Sequence, residues 1–369
     1  MWKISHHYDW ELLRQQFSWI QDMVGVPQDP IYHAEGDVAI HTQLVVKALT
    51  SLDEFKALSE QDRHILIAAA LLHDVEKRST TVIESDGSIT SKGHAKKGEY
   101  TSRTLLYKEI STPYAIREQV AKLVRYHGLP LWALEKHNPA KAVIKASLEV
   151  NTQHLALLAQ ADVLGRICQD QDELNYRVEL FRELCHEQNC YGHARTFTDH
   201  FSKYFYFEKA DVLPSFQAYD DSKFEVILMS ALPGSGKDTY IQQHLADWPM
   251  ISLDDFRRKW KIKPTDKSGT GRVVQAAKEA AKAYMRKRTS FVWNATNLTR
   301  ELRKMLIQFF RTYGARVRII YLEAPYRELL AQNRNREHVV PEAVIERMIR
   351  KLEIPAPWEA HHVDYVVRS

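Results

Sequence analysis

Residues 224–239 read FEVILMSALPGSGKDT, and they indicate the class of fold expected for the C-terminal part of the chain. Its first part, FEVILMSA, is short, apolar and contains β-branched and aromatic residues, which is typical of a buried strand. The Gly-rich turn that follows leads into a helical pattern. A turn between a strand and a helix points backbone N–H groups at phosphate oxygens. The stretch therefore predicts a phosphate-binding α/β domain.

Further short apolar segments follow it and are separated by helical stretches. They read MISL (250–253), SFVWNA (290–295) and ARVRIIYL (315–322). Strands that alternate with helices favour a parallel sheet with helices on both faces. We therefore expect a C-terminal α/β domain built on such a sheet.

The glycine turn resembles a P-loop, in which a lysine, here Lys237, reaches the β and γ phosphates of a nucleoside triphosphate. Two positions depart from the usual pattern. Ala231 stands where the first glycine is common, and Asp238 stands where a hydroxyl normally meets Mg²⁺. Asp238 or Thr239 is then the residue that faces Mg²⁺, with ATP or another NTP as the bound nucleotide. The expected ATP-binding residues are Gly234, Ser235, Gly236, Lys237, Asp238 and Thr239.

The motif SLDDFRRKW (252–260) comes directly after the second apolar strand. A carboxylate at this place would face the γ phosphate from the acceptor side and could take the proton of an attacking hydroxyl. LDDFR resembles the segment of phage-type polynucleotide 5′-kinases that carries the general base and an acceptor-binding arginine. The resemblance implies Asp254 as the base and Arg257 as the acceptor clamp, with Asp255 as the competing base.

Segments farther along the chain extend this resemblance. WNATNLTRELR (293–303) resembles the next strand end of that family, with Asn294 where an Asp is often found. AQNRNREHVVPEAVIERM (331–348) looks like the kinase lid, which implies that Arg334 and Arg336 clamp the ATP phosphates; an ordinary solvated helix is the alternative.

The basic run RRKWKIK (257–263) has Trp260 within it. Alternating cations and an aromatic ring fit a track for a nucleic-acid backbone with one stacked base. A merely charged helix would look the same in sequence, so both interpretations stay open.

The chain before about residue 215 has a different periodicity. Apolar residues recur at helical spacing in 38–50, 62–77, 117–127, 142–164 and 174–188, whereas SDGSITSKG (85–93) is typical of a loop. We therefore predict an all-α domain over 1–215 and the α/β domain over 216–369.

Histidine and aspartate lie at the ends or centres of these helices. His73 and Asp74 close the apolar run ILIAAALLHD, His41 lies within one helix, and Asp162 lies within another. Each residue alone is most simply a core or capping group. Together, imidazole and carboxylate ligands suit Mn²⁺, Fe²⁺, Ni²⁺ or Zn²⁺, whereas Mg²⁺ prefers oxygen alone. A bound metal would activate water and polarise a phosphoryl oxygen.

This order of residues resembles the HD phosphohydrolases. YHAEGDVAIHTQLVVKAL (32–49) also looks like the HD domains attached to some tRNA nucleotidyltransferases. The resemblance implies one metal on His41, His73, Asp74 and Asp162, and a second on His94 and His127 that shares Asp74. It leaves His33 as a ligand, a substrate contact or an ordinary loop histidine, and Lys77 as a further candidate site residue.

An HD domain placed ahead of such a kinase domain resembles the bacterial HD-Pnk family, which heals broken nucleic-acid ends. The resemblance implies phosphorylation of 5′-OH ends and hydrolysis of 2′,3′-cyclic phosphate and 3′-phosphate ends, most simply in RNA repair. RNA or DNA ends would then be the substrates, and a separate ligase would act downstream. Two alternatives remain: an enzyme of free nucleotides, and a P-loop switch that regulates an HD hydrolase.

Composition and charge agree with two different halves. The net charge is +4; residues 1–223 carry 25 Lys and Arg against 31 Asp and Glu, whereas residues 224–369 carry 26 against 16. A basic half suits phosphate-rich partners.

Three cysteines are too few for a disulfide framework, and neither a membrane span nor a signal peptide is apparent. We expect a cytoplasmic protein without a membrane partner, and a homo-oligomer stays open.

Overall fold

A computed structural model describes residues 1–262 and 266–368. The chain divides into two compact units, Met1–Arg195 and Thr196–Ser369. The boundary lies earlier than the position near 215 that the sequence analysis expected. The difference comes from an aromatic helix at His200–Glu208, because its Phe201 and Tyr204 belong to the core of the second unit.

The first unit is helical apart from one small hairpin. Its hairpin strands are β1 (Val82–Ile83) and β2 (Ile89–Thr90), which pair antiparallel. Its helices are α1 (Trp10–Gln16), α2 (Ser18–Gln21), α3 (Val38–Ser51), α4 (Asp53–Lys56), α5 (Glu60–Leu72), α6 (Lys77–Thr80), α7 (His94–Lys108), α8 (Tyr114–Tyr126), α9 (Leu129–Trp132), α10 (Pro139–Ser147), α11 (Thr152–Leu164) and α12 (Gln171–Glu187).

Helix α5 is the centre of this unit, since every residue from Ile65 to Leu72 is buried. The caps explain where neighbouring helices begin. Asp37 caps α3 by accepting a hydrogen bond from Ile40 N, and Asn151 caps α11 by accepting from Gln153 N and His154 N. Asn151 also separates α10 from α11, so the single helix expected over 142–164 is in fact two.

The second unit contains a parallel sheet, as predicted. Its helices are α13 (His200–Glu208), α14 (Lys237–His244), α15 (Leu253–Trp260), α16 (Lys267–Arg286), α17 (Arg300–Arg311), α18 (Tyr326–Arg334) and α19 (Glu342–Ile349). Its strands are β3 (Phe224–Ala231), β4 (Met250–Ser252), β5 (Phe291–Asn294), β6 (Ala315–Glu323) and β7 (His362–Val367).

The sheet runs in the order β4-β5-β3-β6-β7, and each neighbouring pair in it is parallel. The edge strand β7 was not foreseen. Because the strands are parallel, their carboxyl ends meet at one edge of the sheet, where ligands of such sheets bind. Within the described ranges, no helix is long and apolar enough to span a bilayer.

Candidate functional site

The first unit brings the six histidine and aspartate residues of the predicted metal site into one buried cluster. Each comes from the end or interior of a helix. They are His41 in α3, His73 and Asp74 after α5, His94 at the start of α7, His127 directly after α8, and Asp162 in α11. All but His94 are buried.

Asp74 lies at the centre of the cluster. Its Oδ1 is 3.3 Å from His94 Nε2 and 3.9 Å from His127 Nε2, and its Oδ2 is 3.3 Å from His73 Nε2. His41 Nε2 lies 3.7 Å from the same carboxylate.

Asp162 closes the cluster on the His41 side, with its Oδ1 3.1 Å from His41 Nε2. Three groups of potential ligands result: His41 with His73 and Asp162, Asp74 with His94 and His127, and His33 with Glu35 and His41 at the rim. The first two groups contain the six residues expected from sequence, but Asp74 falls in the group of His94 and His127 and not in the group of His41.

In each of the four histidine rings, the Nδ1 atom, which points away from the centre of the cluster, lies close to a neighbouring oxygen. Nδ1 of His73, His94 and His127 lies 2.7–2.8 Å from a backbone carbonyl three residues earlier. Nδ1 of His41 lies 2.8 Å from Glu35 Oε1. The contacts with carbonyl oxygens place the ring proton of His73, His94 and His127 on Nδ1, so that the Nε2 atom of each can face a metal.

The residues present fit a metal ion. Among the described residues, His73 Nε2 and Asp74 Oδ1 are buried and make no hydrogen bond of acceptable geometry. Atoms of this kind are costly to bury unless they find another partner. A cation between them would satisfy both, and the mixed imidazole and carboxylate donors suit a divalent transition metal.

Charge and burial favour ionised carboxylates at Asp74 and Asp162 and a neutral imidazole at His127, which are the forms that bind a metal. Burial opposes ionisation, but Lys77, at 2.7 Å, and His73 hold the pKa of Asp74 well below its usual range. Burial would also raise the pKa of Asp162, but Arg166 holds that pKa well below its usual range. Burial lowers the pKa of His127 to about 3, so its imidazole is neutral.

Sequence reasoning missed Glu35 and Arg166. Arg166 Nη2 donates to Asp162 Oδ2 at 2.6 Å. Arg166 follows the end of α11, and its spacing of four residues from Asp162 was a signal that could have identified it. Glu35 lies in a loop and contacts both His41 and His33, so His33 is placed at the rim of the cluster rather than at its centre.

The second unit places the glycine turn between β3 and α14, at the carboxyl edge of the sheet. Gly234 and Gly236 have φ angles of 83° and 87°, which favour glycine. A Cβ at Gly234 would lie 2.6 Å from the carbonyl oxygen of Leu329, so the turn packs directly against α18.

Lys237 and Asp238 are joined by Asn294, which ends the neighbouring strand β5. Lys237 Nζ donates to Asn294 Oδ1 and lies 3.1 Å from Asp238 Oδ1, and Asn294 Nδ2 donates to Asp238 Oδ1 at 2.9 Å. Burial alone would raise the pKa of Asp238, but Lys237 and the Asn294 amide outweigh burial and lower that pKa. Thr239 is exposed on α14.

The remaining charged residues of this site pair with close neighbours. Arg257 Nη1 donates to Asp254 Oδ1 at 3.1 Å, and Arg334 Nη2 contacts Glu342 Oε1 at 2.8 Å. Asp255 pairs with Arg258. Arg336 contributes to the lowered pKa of Asp238, which places its charge near the turn.

The basic run lies on the exposed side of α15, where Arg258, Lys259 and Trp260 are accessible. Arg272 stacks over the Trp260 ring at 5.7 Å. The last residue of the run, Lys263, lies outside the described residues.

Two family models match this chain. Residues 38–174 match the HD domain, and residues 226–355 match an AAA domain of the P-loop class. The chain joins an HD domain to a P-loop, kinase-like domain. The fusion that the sequence predicted is confirmed, and it makes the protein an enzyme with hydrolase-like and kinase-like parts. A P-loop domain implies an NTP with Mg²⁺, and an HD domain implies a divalent metal.

Known proteins resemble parts of the chain. The multifunctional CCA protein of Methylococcus capsulatus is 29% identical over 160 residues, which is 42% of this chain and 35% of that protein. The match thus spans about a third of that relative's length.

Two solved structures have lower similarity. A gluconokinase of Sinorhizobium meliloti is 17% identical over 40% of this chain and 83% of its own, with a TM-score of 0.30. A chain of the Pnkp1/Rnl/Hen1 RNA repair complex is 21% identical over 37% of this chain and 47% of its own, with a TM-score of 0.32.

Proposed function

We propose that this protein is a bifunctional nucleic-acid end-healing enzyme. Its P-loop domain transfers a phosphoryl group from an NTP to a 5′-OH end. Its HD domain opens a 2′,3′-cyclic phosphate and removes a 3′ phosphate, most simply in RNA. The observation that carries the proposal is the presence, in one chain, of an HD-type histidine and aspartate cluster and a P-loop domain in which LDDFR follows strand β4.

The kinase step needs a base, a phosphate cradle and cations. Asp254 follows β4 at the carboxyl edge of the sheet and takes the proton of the 5′-hydroxyl. Lys237 gives up its contacts with Asn294 and Asp238 and binds the transferred phosphate. Arg334 and Arg336 offset the negative charge that develops on that phosphate. Asp238 or Thr239 faces Mg²⁺. Arg257 breaks its ion pair with Asp254 and binds a phosphate of the acceptor strand instead.

The hydrolytic step uses the buried cluster. The six clustered residues would hold one or two ions such as Mn²⁺, Ni²⁺, Fe²⁺ or Zn²⁺, which would supply an activated water and polarise the phosphoryl oxygens. Lys77 and Arg166 carry positive charge at the two carboxylates and help to bind the anionic phosphate. His33 at the rim is placed to contact the rest of the nucleotide.

The basic half of the chain supports a strand as substrate. Residues 224–369 carry ten more cationic than anionic side chains. The exposed Arg258, Lys259 and Trp260 on α15 offer two cations and one ring to a single strand. The joint product, a 5′ phosphate with a 3′-OH, is the substrate of a ligase, so we expect a separate ligase to act next.

One oligoribonucleotide with a 5′-OH and a 2′,3′-cyclic phosphate tests the proposal. It is incubated with the purified protein, ATP, Mg²⁺ and a panel of transition metals, and both ends are followed by mass spectrometry. We expect a gained 5′ phosphate and loss of the cyclic phosphate. If both ends stay unchanged while free nucleotides are phosphorylated or hydrolysed, the protein acts on small molecules. If only the HD reaction occurs and ATP alters its rate, the P-loop is a switch.

A further inference from the structure

The last residue of the described chain reaches back to the P-loop. Arg368 follows the edge strand β7, whose carboxyl end lies at the same edge of the sheet as the glycine turn. Its guanidinium Nη2 donates to the carbonyl oxygen of Ser235 at 2.7 Å. These two residues are 133 positions apart in sequence, so the contact depends on the whole sheet being formed.

Two further contacts fix the guanidinium. Arg368 Nη1 donates to Glu328 Oε1 at 2.6 Å, and Nη2 lies 3.2 Å from Gln332 Oε1. Both partners belong to α18. The backbone of Arg368 is also held, because its N–H donates to Glu323 O at 3.0 Å and so extends the β6–β7 ladder.

The space beside the turn is shaped around this side chain. A Cβ at Gly236 would lie 2.6 Å from Arg368 Nη2, so any other residue at that position would displace the guanidinium. Glycine is needed there both for its φ of 87° and for this close approach.

The contact sets the direction of one peptide unit. In a planar trans peptide, the carbonyl oxygen and the following N–H point to opposite sides. A donor that holds the Ser235 carbonyl on the outer side of the turn therefore aims the Gly236 N–H to the inner side. Backbone N–H groups of that turn are the ones that bind phosphate oxygens.

We propose that Arg368 is a positioning residue for nucleotide binding, which orients the Ser235–Gly236 peptide so that the Gly236 N–H meets a phosphate oxygen of the NTP. The inference rests on the proposed kinase function. Arg368 acts through the backbone, and its own charge is satisfied by Glu328.

The test measures binding of ATP with Mg²⁺ to the full chain by isothermal titration calorimetry, without any acceptor strand. We compare Arg368→Ala, Arg368→Lys and Arg368→Gln. The matched control is Arg318→Ala, which removes another partly exposed arginine, one that pairs with Asp364 of β7 but lies within β6 and away from the turn. Thermal unfolding and HD-domain hydrolysis are measured on every variant.

We expect Arg368→Ala to weaken ATP binding by about tenfold, the usual effect of losing one charge-assisted hydrogen bond. Arg368→Gln and Arg368→Lys keep an N–H donor for Ser235 O and should stay within roughly threefold of the wild type. In kinase assays the loss should appear in KM for ATP more than in kcat. Arg318→Ala should bind ATP normally, and hydrolysis should not change.

Two results would overturn the inference. If Arg368→Ala binds ATP as well as the wild type, the orientation of the Ser235–Gly236 peptide unit does not depend on the arginine. If Arg368→Gln is as weak as Arg368→Ala while Arg368→Lys is normal, the guanidinium contacts phosphate directly as a charge. A wild-type protein that binds no NTP would instead refute the kinase function, and the inference with it.

Discussion

The two candidate sites of this chain are organised in opposite ways. In the HD domain, Asp74 and Asp162 are buried, and cations and imidazoles contact them from several sides. In the P-loop domain, Asp254 and Arg334 are largely exposed and each pairs with one neighbour. Exposed ion pairs contribute little to stability and exchange easily, whereas a buried carboxylate that loses its partners is costly.

The comparison indicates how each site meets its ligand. The HD cluster is arranged before any ligand arrives, since its rings are fixed by outer contacts. The P-loop site holds its charges in local pairs that a nucleotide or an acceptor strand can replace. Substitutions should therefore have larger and less reversible effects in the HD domain.

The largest effect should come from Asp74→Asn. An amide in place of this carboxylate removes the central anion between four imidazoles and so weakens metal binding. Because a bound metal lowers the barrier of such a reaction by several kcal/mol, hydrolysis of 3′ ends should fall by at least about a thousandfold. Mass spectrometry of the 3′ end measures the loss. Phosphorylation of 5′ ends should continue.

Asp86→Asn is the matched control, because Asp86 lies exposed in the hairpin turn and contacts only Ser88 among the described residues. Loss of both activities in Asp74→Asn would show that the two domains do not work independently.

Lys237→Ala should have the next largest effect and the reverse pattern. It removes the cation nearest the transferred phosphate, and kinase activity should fall by roughly a hundredfold to a thousandfold while HD hydrolysis stays intact. Transfer of labelled phosphate from ATP to a 5′-OH strand measures it. Lys304→Ala, on the exposed side of α17, is the control. Normal kinase activity in Lys237→Ala would contradict the P-loop assignment.

Glu35→Gln should have a smaller effect on the HD domain. Glutamine keeps the shape but contacts His41 Nδ1 without a negative charge, and an outer contact of this kind typically changes metal affinity by about tenfold to a hundredfold. Titration with Mn²⁺ followed by magnetic resonance of the ion measures affinity without any turnover. Glu11→Gln, on the exposed surface of α1, is the control. Unchanged Mn²⁺ affinity would mean that Glu35 only holds the loop.

The sequence predicted the local parts of both sites and missed the parts that depend on packing. His73 and Asp74 stand in a recognisable run, and the glycine turn follows a clear strand, so both were identified. Glu35 was missed because its role depends on the fold of a loop. Arg368 was missed because β7 was not foreseen, and only the complete sheet brings its end to the glycine turn.

The smallest effect should come from Lys259→Ala in the exposed basic run. Binding of a single strand should weaken modestly, and the slope of log affinity against log salt should decrease by about 0.7, the value for one phosphate contact. Fluorescence anisotropy with a labelled strand at several salt concentrations measures it. Lys136→Ala, exposed in the acidic half, is the control. Because Lys259 is exposed, the melting temperature should not change, so a lost slope would report strand contact and not unfolding. An unchanged slope would remove Lys259 and its face of α15 from the strand-binding surface.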